Sequence, residues 1–210
     1  MSTDEKKQSV IDEFQRIYYA GSTWQHTYWR GVPVRKCPLD LWIYQEIFHE
    51  VQPDVIIECG TYLGGSAYYF SALCEVMRKG RILTIDVELH QRPTWPRVTF
   101  YSGNSVSPKT LAVVRNFIKP NEKVLVILDS CHERSHVLAE MKLYAPLVTS
   151  GSYLIVEDGN INGHPVFPEH GPGPYEAISE FMAECHDFTI DREREKFMMT
   201  MNPNGYLKRK

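Results

Sequence analysis

The stretch Val55-Ile-Ile-Glu-Cys-Gly-Thr-Tyr-Leu-Gly-Gly-Ser66 most constrains what this chain can fold into. A β-branched apolar run ends in an acid, three glycines follow inside a short loop, and a helix-like segment runs from Ala67 to Lys79. Apolar on both faces, the run reads as a buried strand. Gly60, Gly64 and Gly65 allow a sharp turn and a close backbone approach to a ligand, which a Cβ would block. The helix behind them aims its free N–H groups and positive dipole end at the loop. Such a unit binds a nucleotide-like or carboxylate-bearing cofactor. The alternative is a purely structural βαβ turn.

Spacing narrows the cofactor. No glycine sits two residues after Gly60, so the dinucleotide fingerprint G-x-G-x-x-G is absent. Glu58, two residues before the first glycine, suits a ligand with a cationic amino group better than a diphosphate. A second strand, Arg81 to Asp86, also ends in an acid, placed where a ribose diol needs one. Together these features resemble the S-adenosylmethionine loop of class I methyltransferases.

A length of 210 residues suits one α/β domain with short additions. The formal charge of −3 argues against nucleic acid as the main partner. Cys37, Cys59, Cys74, Cys131 and Cys185 are odd in number and lack metal or disulfide spacing, which suits free thiols in a reducing cytoplasm. The polar start, Met1 to Lys7, has no signal-peptide core. No apolar run approaches the roughly 20 residues of a membrane helix. A cytoplasmic protein with no membrane partner is expected.

Along the chain, Ser9 to Ala20 reads as a helix with Ile11, Phe14, Ile17 and Tyr18 on one face. The aromatic segment Ser22 to Pro33 is a packed loop or a lid. Pro38 to Glu50 reads as a helix with Leu39, Trp42, Ile43, Ile47 and Phe48 inward. Strands are expected at Val98 to Tyr101, Val124 to Asp129 and Gly151 to Asp158. Helices are expected at Leu111 to Ile118, Ser130 to Tyr144 and Tyr175 to Cys185. Phe188 to Ile190 and Phe197 to Met201 read as a closing antiparallel pair. The predicted fold is α/β: a doubly wound, Rossmann-like class I methyltransferase sheet, mostly parallel, with a C-terminal antiparallel hairpin and an N-terminal helical lid. Residues 1–50 form the N-terminal helices and lid, and residues 51–210 the methyltransferase domain.

Ligands of open α/β sheets bind beyond the carboxyl ends of the strands. Glu58, Asp86, Asp129, Glu157 and Asp158 all fall there, although an acid at such a place also caps a following helix. Asp129, Glu157 and Asp158 belong to two strands expected to be neighbours. Clustered carboxylates repel unless a cation offsets them, and three hard oxygen ligands suit Mg²⁺. His132 and His136 have the i, i+4 spacing that places both on one helix face, with Asp129 one turn before. Either could take a proton from a metal-bound hydroxyl. His164 and His170 lie in the long loop from Asn160 to Pro174 and are candidates for lining a substrate site. Cys131 beside His132 is a thiol candidate without an oxyanion-hole motif.

Asp129-Ser-Cys-His-Glu-Arg-Ser-His-Val137 resembles the D-S-x-H-x-x-x-H-V signature of the cephalosporin hydroxylase and rhamnosyl O-methyltransferase family. Gly31 to Trp42, Glu58 to Ser66, Gly151 to Asp158, Gly171-Pro-Gly-Pro174 and Asn202 to Leu207 are similar as well. The resemblance implies a class I methyltransferase fold that binds S-adenosylmethionine and a Mg²⁺ held by Asp129, Glu157 and Asp158. The expected cofactor-binding residues are Glu58, Gly60, Thr61, Tyr62, Gly64, Gly65, Ser66, Asp86, Asn104, Ser105 and Asp129. The expected catalytic residues are His132, His136 and Asp129. The expected activity is methyl transfer to a hydroxyl of a small acceptor, a sugar or natural-product intermediate, by a homo-oligomer. A metal-dependent hydroxylase and a catalytically silent cofactor-binding protein are the other readings.

Overall fold

Two fully buried strands set the architecture. In the computed structural model, which describes residues 2–88, 90 and 93–210, β-branched and aliphatic runs lie side by side in one sheet. In chain order the elements are α1 (Thr3–Ala20), a small hairpin of β1 (Tyr28–Trp29) and β2 (Val32–Pro33), α2 (Pro38–Val51), β3 (Val55–Cys59), α3 (Gly65–Met77), β4 (Arg81–Asp86) and β5 (Val98–Ser102). They continue with α4 (Pro108–Phe117), β6 (Val124–Leu128), α5 (Arg134–Tyr144), β7 (Tyr153–Val156), α6 (Pro174–Glu184), β8 (Phe188–Ile190) and β9 (Tyr206–Arg209). The sheet order is β5-β4-β3-β6-β7-β9-β8. The first five strands run parallel, and β9 runs antiparallel between β7 and β8.

Side chains alternate across a strand, so β3 and β6 feed two cores. Val55, Ile57, Val126 and Leu128 pack towards α5 and α6, against Met141 and Phe181. Ile56, Leu125 and Ile127 pack towards α2 and α3, against Phe48 and Phe70. The chain leaves β3 for β4 on one side and later places β6 on the other. The crevice where ligands bind is therefore expected at the carboxyl ends of β3 and β6. Among the described residues no helix is long and apolar enough to cross a membrane.

The sheet and its C-terminal antiparallel hairpin agree with the sequence reading, but several details differ. The second hairpin strand is Tyr206–Arg209, not Phe197 to Met201. The reason is Asp40, at the start of α2 and 2% exposed. It accepts the Thr200 hydroxyl (2.6 Å), the Met201 N–H (2.8 Å) and the Tyr206 hydroxyl (2.9 Å), which binds 200–201 as a loop under α2. Helix α5 starts at Arg134, so residues 130–133 are a loop. Trp42 faces outward, with its indole N–H donating to Glu46. On α1, Phe14 and Ile17 are exposed, and Gln15 is the buried residue, donating to the Thr200 carbonyl.

Asp40 thus ties the N-terminal helices to the last strand. Asp40→Ala leaves three donors without their acceptor and should cost about 3 kcal/mol of unfolding free energy in urea titration. A loss under about 1 kcal/mol would mean that this clamp does not hold the C-terminal segment.

Candidate active site

The carboxyl ends of the parallel strands open into a cavity of about 730 Å³, within the usual range for ligand sites. Of the residues that the sequence reading assigns to cofactor, metal or catalysis, all but Glu58 and Glu157 line it. At one end the loop after β3 turns tightly. Gly60 has φ +101°, and a Cβ there would sit 1.8 Å from the Asp129 carbonyl oxygen, so only glycine lets β3 and β6 approach this closely. At Gly65 a Cβ would lie 2.0 Å from the Pro33 carbonyl oxygen, which brings the N-terminal hairpin against the start of α3. Asp86 Oδ2 accepts the N–H groups of Thr61 (2.9 Å) and Tyr62 (2.7 Å) and so holds the loop.

The other end is acidic. One donor atom each from Asp129, His132 and Asp158 lies within 4.8 Å of the others. His132 Nε2 stands 3.2 Å from Asp158 Oδ2. Asp158 has φ +56°, a left-handed conformation uncommon outside glycine, and its N–H donates to the Asn202 side-chain oxygen. Burial pushes the carboxyls of Asp129, Glu157 and Asp158 above the usual range, while Lys36 and His132 pull them back. Two hard carboxylates beside one imidazole are a donor set that fits a divalent cation. Aromatic groups close this end, with Tyr19 stacked on Trp24 (5.3 Å between ring centroids) and Phe167 edge-on to His170 (5.4 Å).

Beneath the cavity lies a group that sequence reasoning missed. Lys36, 3% exposed, donates to Asp129 Oδ2 (2.7 Å) and Glu157 Oε1 (2.5 Å). Burial alone would depress its pKa, but Asp129, Glu157 and Glu58 outweigh that and raise it. Glu157 also accepts the Tyr44 hydroxyl at 2.6 Å, and this pairing turns it away from the cavity. Glu58 lies under the glycine loop, fully buried, and accepts the Thr84 hydroxyl. Burial, partly offset by Lys36, pushes its carboxyl up to about 7. No local pattern around Val34-Arg-Lys-Cys-Pro38 marks Lys36 as buried.

The two histidines do not share a helix face. His132 lies in the loop before α5, whereas His136 is on α5, with Nε2 3.2 Å from Ser105 Oγ and 3.4 Å from Glu140 Oε1. Both line the cavity, His132 at the acidic end and His136 near Ser105. His170 lines it too, while His164 stacks on Tyr175 and pairs with Glu176. Cys131 is exposed on the cavity wall.

The family model for Rhamnosyl O-methyltransferase/CmcI matches residues 21–210. A rhamnosyl O-methyltransferase of Mycobacterium tuberculosis is 42% identical over 210 aligned positions, covering 95% of this chain and 84% of that protein. One from Mycobacterium leprae is 40% identical over 211 positions, covering 96% and 91%. A solved structure of CmcI with Mg and SAM superimposes with a TM-score of 0.69 at 22% identity, over 89% of this chain and 77% of that one. At that identity the likeness speaks for the fold.

The hydrogen bond that His136 donates to the Glu140 carboxylate raises the His136 pKa above its ordinary value, against the opposing effect of burial. A raised histidine pKa contributes stability that is complete below the unfolded value and is lost as pH rises through the folded value. The melting-temperature gap between parent and His136→Gln should therefore be widest near pH 6 and close by about pH 8. A gap that stays constant over that range would show that the pair does not act through the imidazolium.

Proposed function

The chain belongs to the rhamnosyl O-methyltransferase/CmcI family, and from that premise we propose that it moves a methyl group from S-adenosylmethionine to a hydroxyl of a small acceptor, a sugar or natural-product intermediate, with Mg²⁺ at its acidic end. The observation that carries this reading is the juxtaposition in one cavity of the tight Gly60–Gly65 loop and the Asp129, His132 and Asp158 cluster. When bound, S-adenosylmethionine supplies an electrophilic methyl group and Mg²⁺ supplies Lewis acidity that makes an alcohol more acidic.

The residues of the chain divide the work. The glycine loop, held by Asp86, gives the methionine portion a close backbone surface. Asn104, Ser105 and His136 flank the adenosine side. Asp129 and Asp158 hold the metal, with His132 beside them. Glu157, expected as a third acidic ligand, faces Lys36 and Tyr44. His132 is the base, and Asp158 beside its Nε2 stabilises the imidazolium that forms. The Trp24 and Phe167 walls exclude water. Holding two reactants in line supplies much of the rate. The two carboxylates of Asp129 and Asp158, with His132 as the one imidazole beside them, support this reading over an iron oxygenase, whose usual facial triad has two metal-bound histidines and one carboxylate.

Calorimetric titration should show saturable binding of S-adenosylhomocysteine and none of NAD; no S-adenosylhomocysteine binding with Mg²⁺ present would sink the methyltransferase reading. Asp129→Asn should keep S-adenosylhomocysteine affinity within about threefold. The same substitution should lower turnover with any accepted hydroxyl substrate by about 100-fold or more. Turnover at the parent rate would remove Asp129 from the mechanism.

A further inference from the structure

A buried cation already stands among the acids. Lys36 comes from the segment between β2 and α2, outside the parallel core, and reaches across to the ends of β6 and β7. Its ammonium lies between Asp129, which also belongs to the metal-competent cluster, and Glu157, the remaining acid of the expected ligand set. Glu58 lies within its electrostatic reach. Without Lys36, several carboxylates would share one poorly hydrated spot at the end of the sheet, which is strongly unfavourable.

Asp129 cannot serve two cations at full strength. An oxygen that accepts a hydrogen bond from an ammonium has less electron density to offer a metal, and two like charges a few ångströms apart repel. We propose that Lys36 is an internal counter-cation that competes with the divalent metal for Asp129: it holds the strand ends together in the metal-free protein and yields Asp129 as the metal binds. The proposal rests on the metal reading given above. It makes metal binding an exchange of one cation for another, with an affinity set by how much Lys36 must give up.

The Lys36 segment also borders the cavity wall. The carbonyl of Lys36 accepts the Thr27 hydroxyl at 3.5 Å, the same hydroxyl lies 3.0 Å from the Trp24 carbonyl, and the Val34 N–H donates to the Thr27 carbonyl at 2.9 Å. These contacts fasten the Lys36 segment beside the one that carries Trp24.

The test compares the parent with Lys36→Met by thermal melting in EDTA and in excess Mg²⁺, and by calorimetric titration with Mg²⁺ alone. Lys36→Met should melt roughly 10 °C lower in EDTA. It should regain more of its melting temperature on adding Mg²⁺ than the parent gains, and bind Mg²⁺ about tenfold more tightly. Equal or weaker Mg²⁺ binding by Lys36→Met overturns the competition while leaving the metal reading standing. Failure of the parent to bind Mg²⁺ overturns both. Because Lys36→Met leaves Asp129 and Glu157 without their counter-charge, the charge-balanced double variant Lys36→Met/Glu157→Gln provides the second arm. It should recover most of the metal-free melting temperature, and a double variant no more stable than the single one overturns the counter-cation role.

Discussion

The ion pairs of Lys36 with Asp129 and Glu157 are the interaction on which the rest of the site depends. A parallel sheet that ends each strand in an acid brings those acids together, because neighbouring strands finish side by side. Removing carboxylates from water costs several kcal/mol each unless charge and hydrogen bonds offset it. Lys36 supplies the charge, while Tyr44 and Thr84 supply hydrogen bonds to Glu157 and Glu58. The N-terminal segment is therefore part of the site. Without it, the ends of β3, β6 and β7 would hold uncompensated negative charge.

The same arrangement gives the cavity two chemically distinct ends. Around the glycine loop the ligand meets backbone and small polar groups; around Asp129, His132 and Asp158 it meets charge. In the proposed reaction, a sulfonium cofactor and a hydroxylated acceptor make these two demands. The left-handed backbone at Asp158 is consistent with a residue held in place for function, since strained conformations persist where the surrounding structure over-determines them. Here the hydrogen bond from the Asp158 N–H to Asn202 provides part of that constraint, and the Asp40 clamp positions the loop that carries Asn202.

Much of the fold was legible in the sequence. The runs at Val55 and Val124 are apolar on both faces, which only a buried strand with helices on each side accommodates, and both are fully buried. Asp129 lies just past the second strand, as its place in the sequence predicts, whereas Glu58 falls within β3 and is buried beneath the cavity. The errors came where tertiary contacts outweigh local pattern. Phe197 to Met201 has the alternation of a strand, but Asp40 takes its polar groups and Tyr206–Arg209 pairs in its place. His132 and His136 have helical spacing, but the helix begins only at Arg134, so the spacing places neither beside the other. Trp42, Phe14 and Ile17 satisfy an amphipathic pattern and still face outward, because a helical period says which residues share a face without saying what covers it.

By itself, then, the sequence determined the α/β sheet, the tight glycine loop and the row of acids at the strand ends. Each of these follows from the spacing of neighbouring residues and the backbone conformations they permit. Only the tertiary structure decided which acids face the cavity, that Glu58 and Glu157 lie beneath it, and that His136 answers to Glu140 and Ser105. It alone placed Lys36 against partners 93 and 121 residues away in the chain. Electrostatic pairing depends on distance in space and on exclusion of water, and neither is written in the order of residues around Lys36.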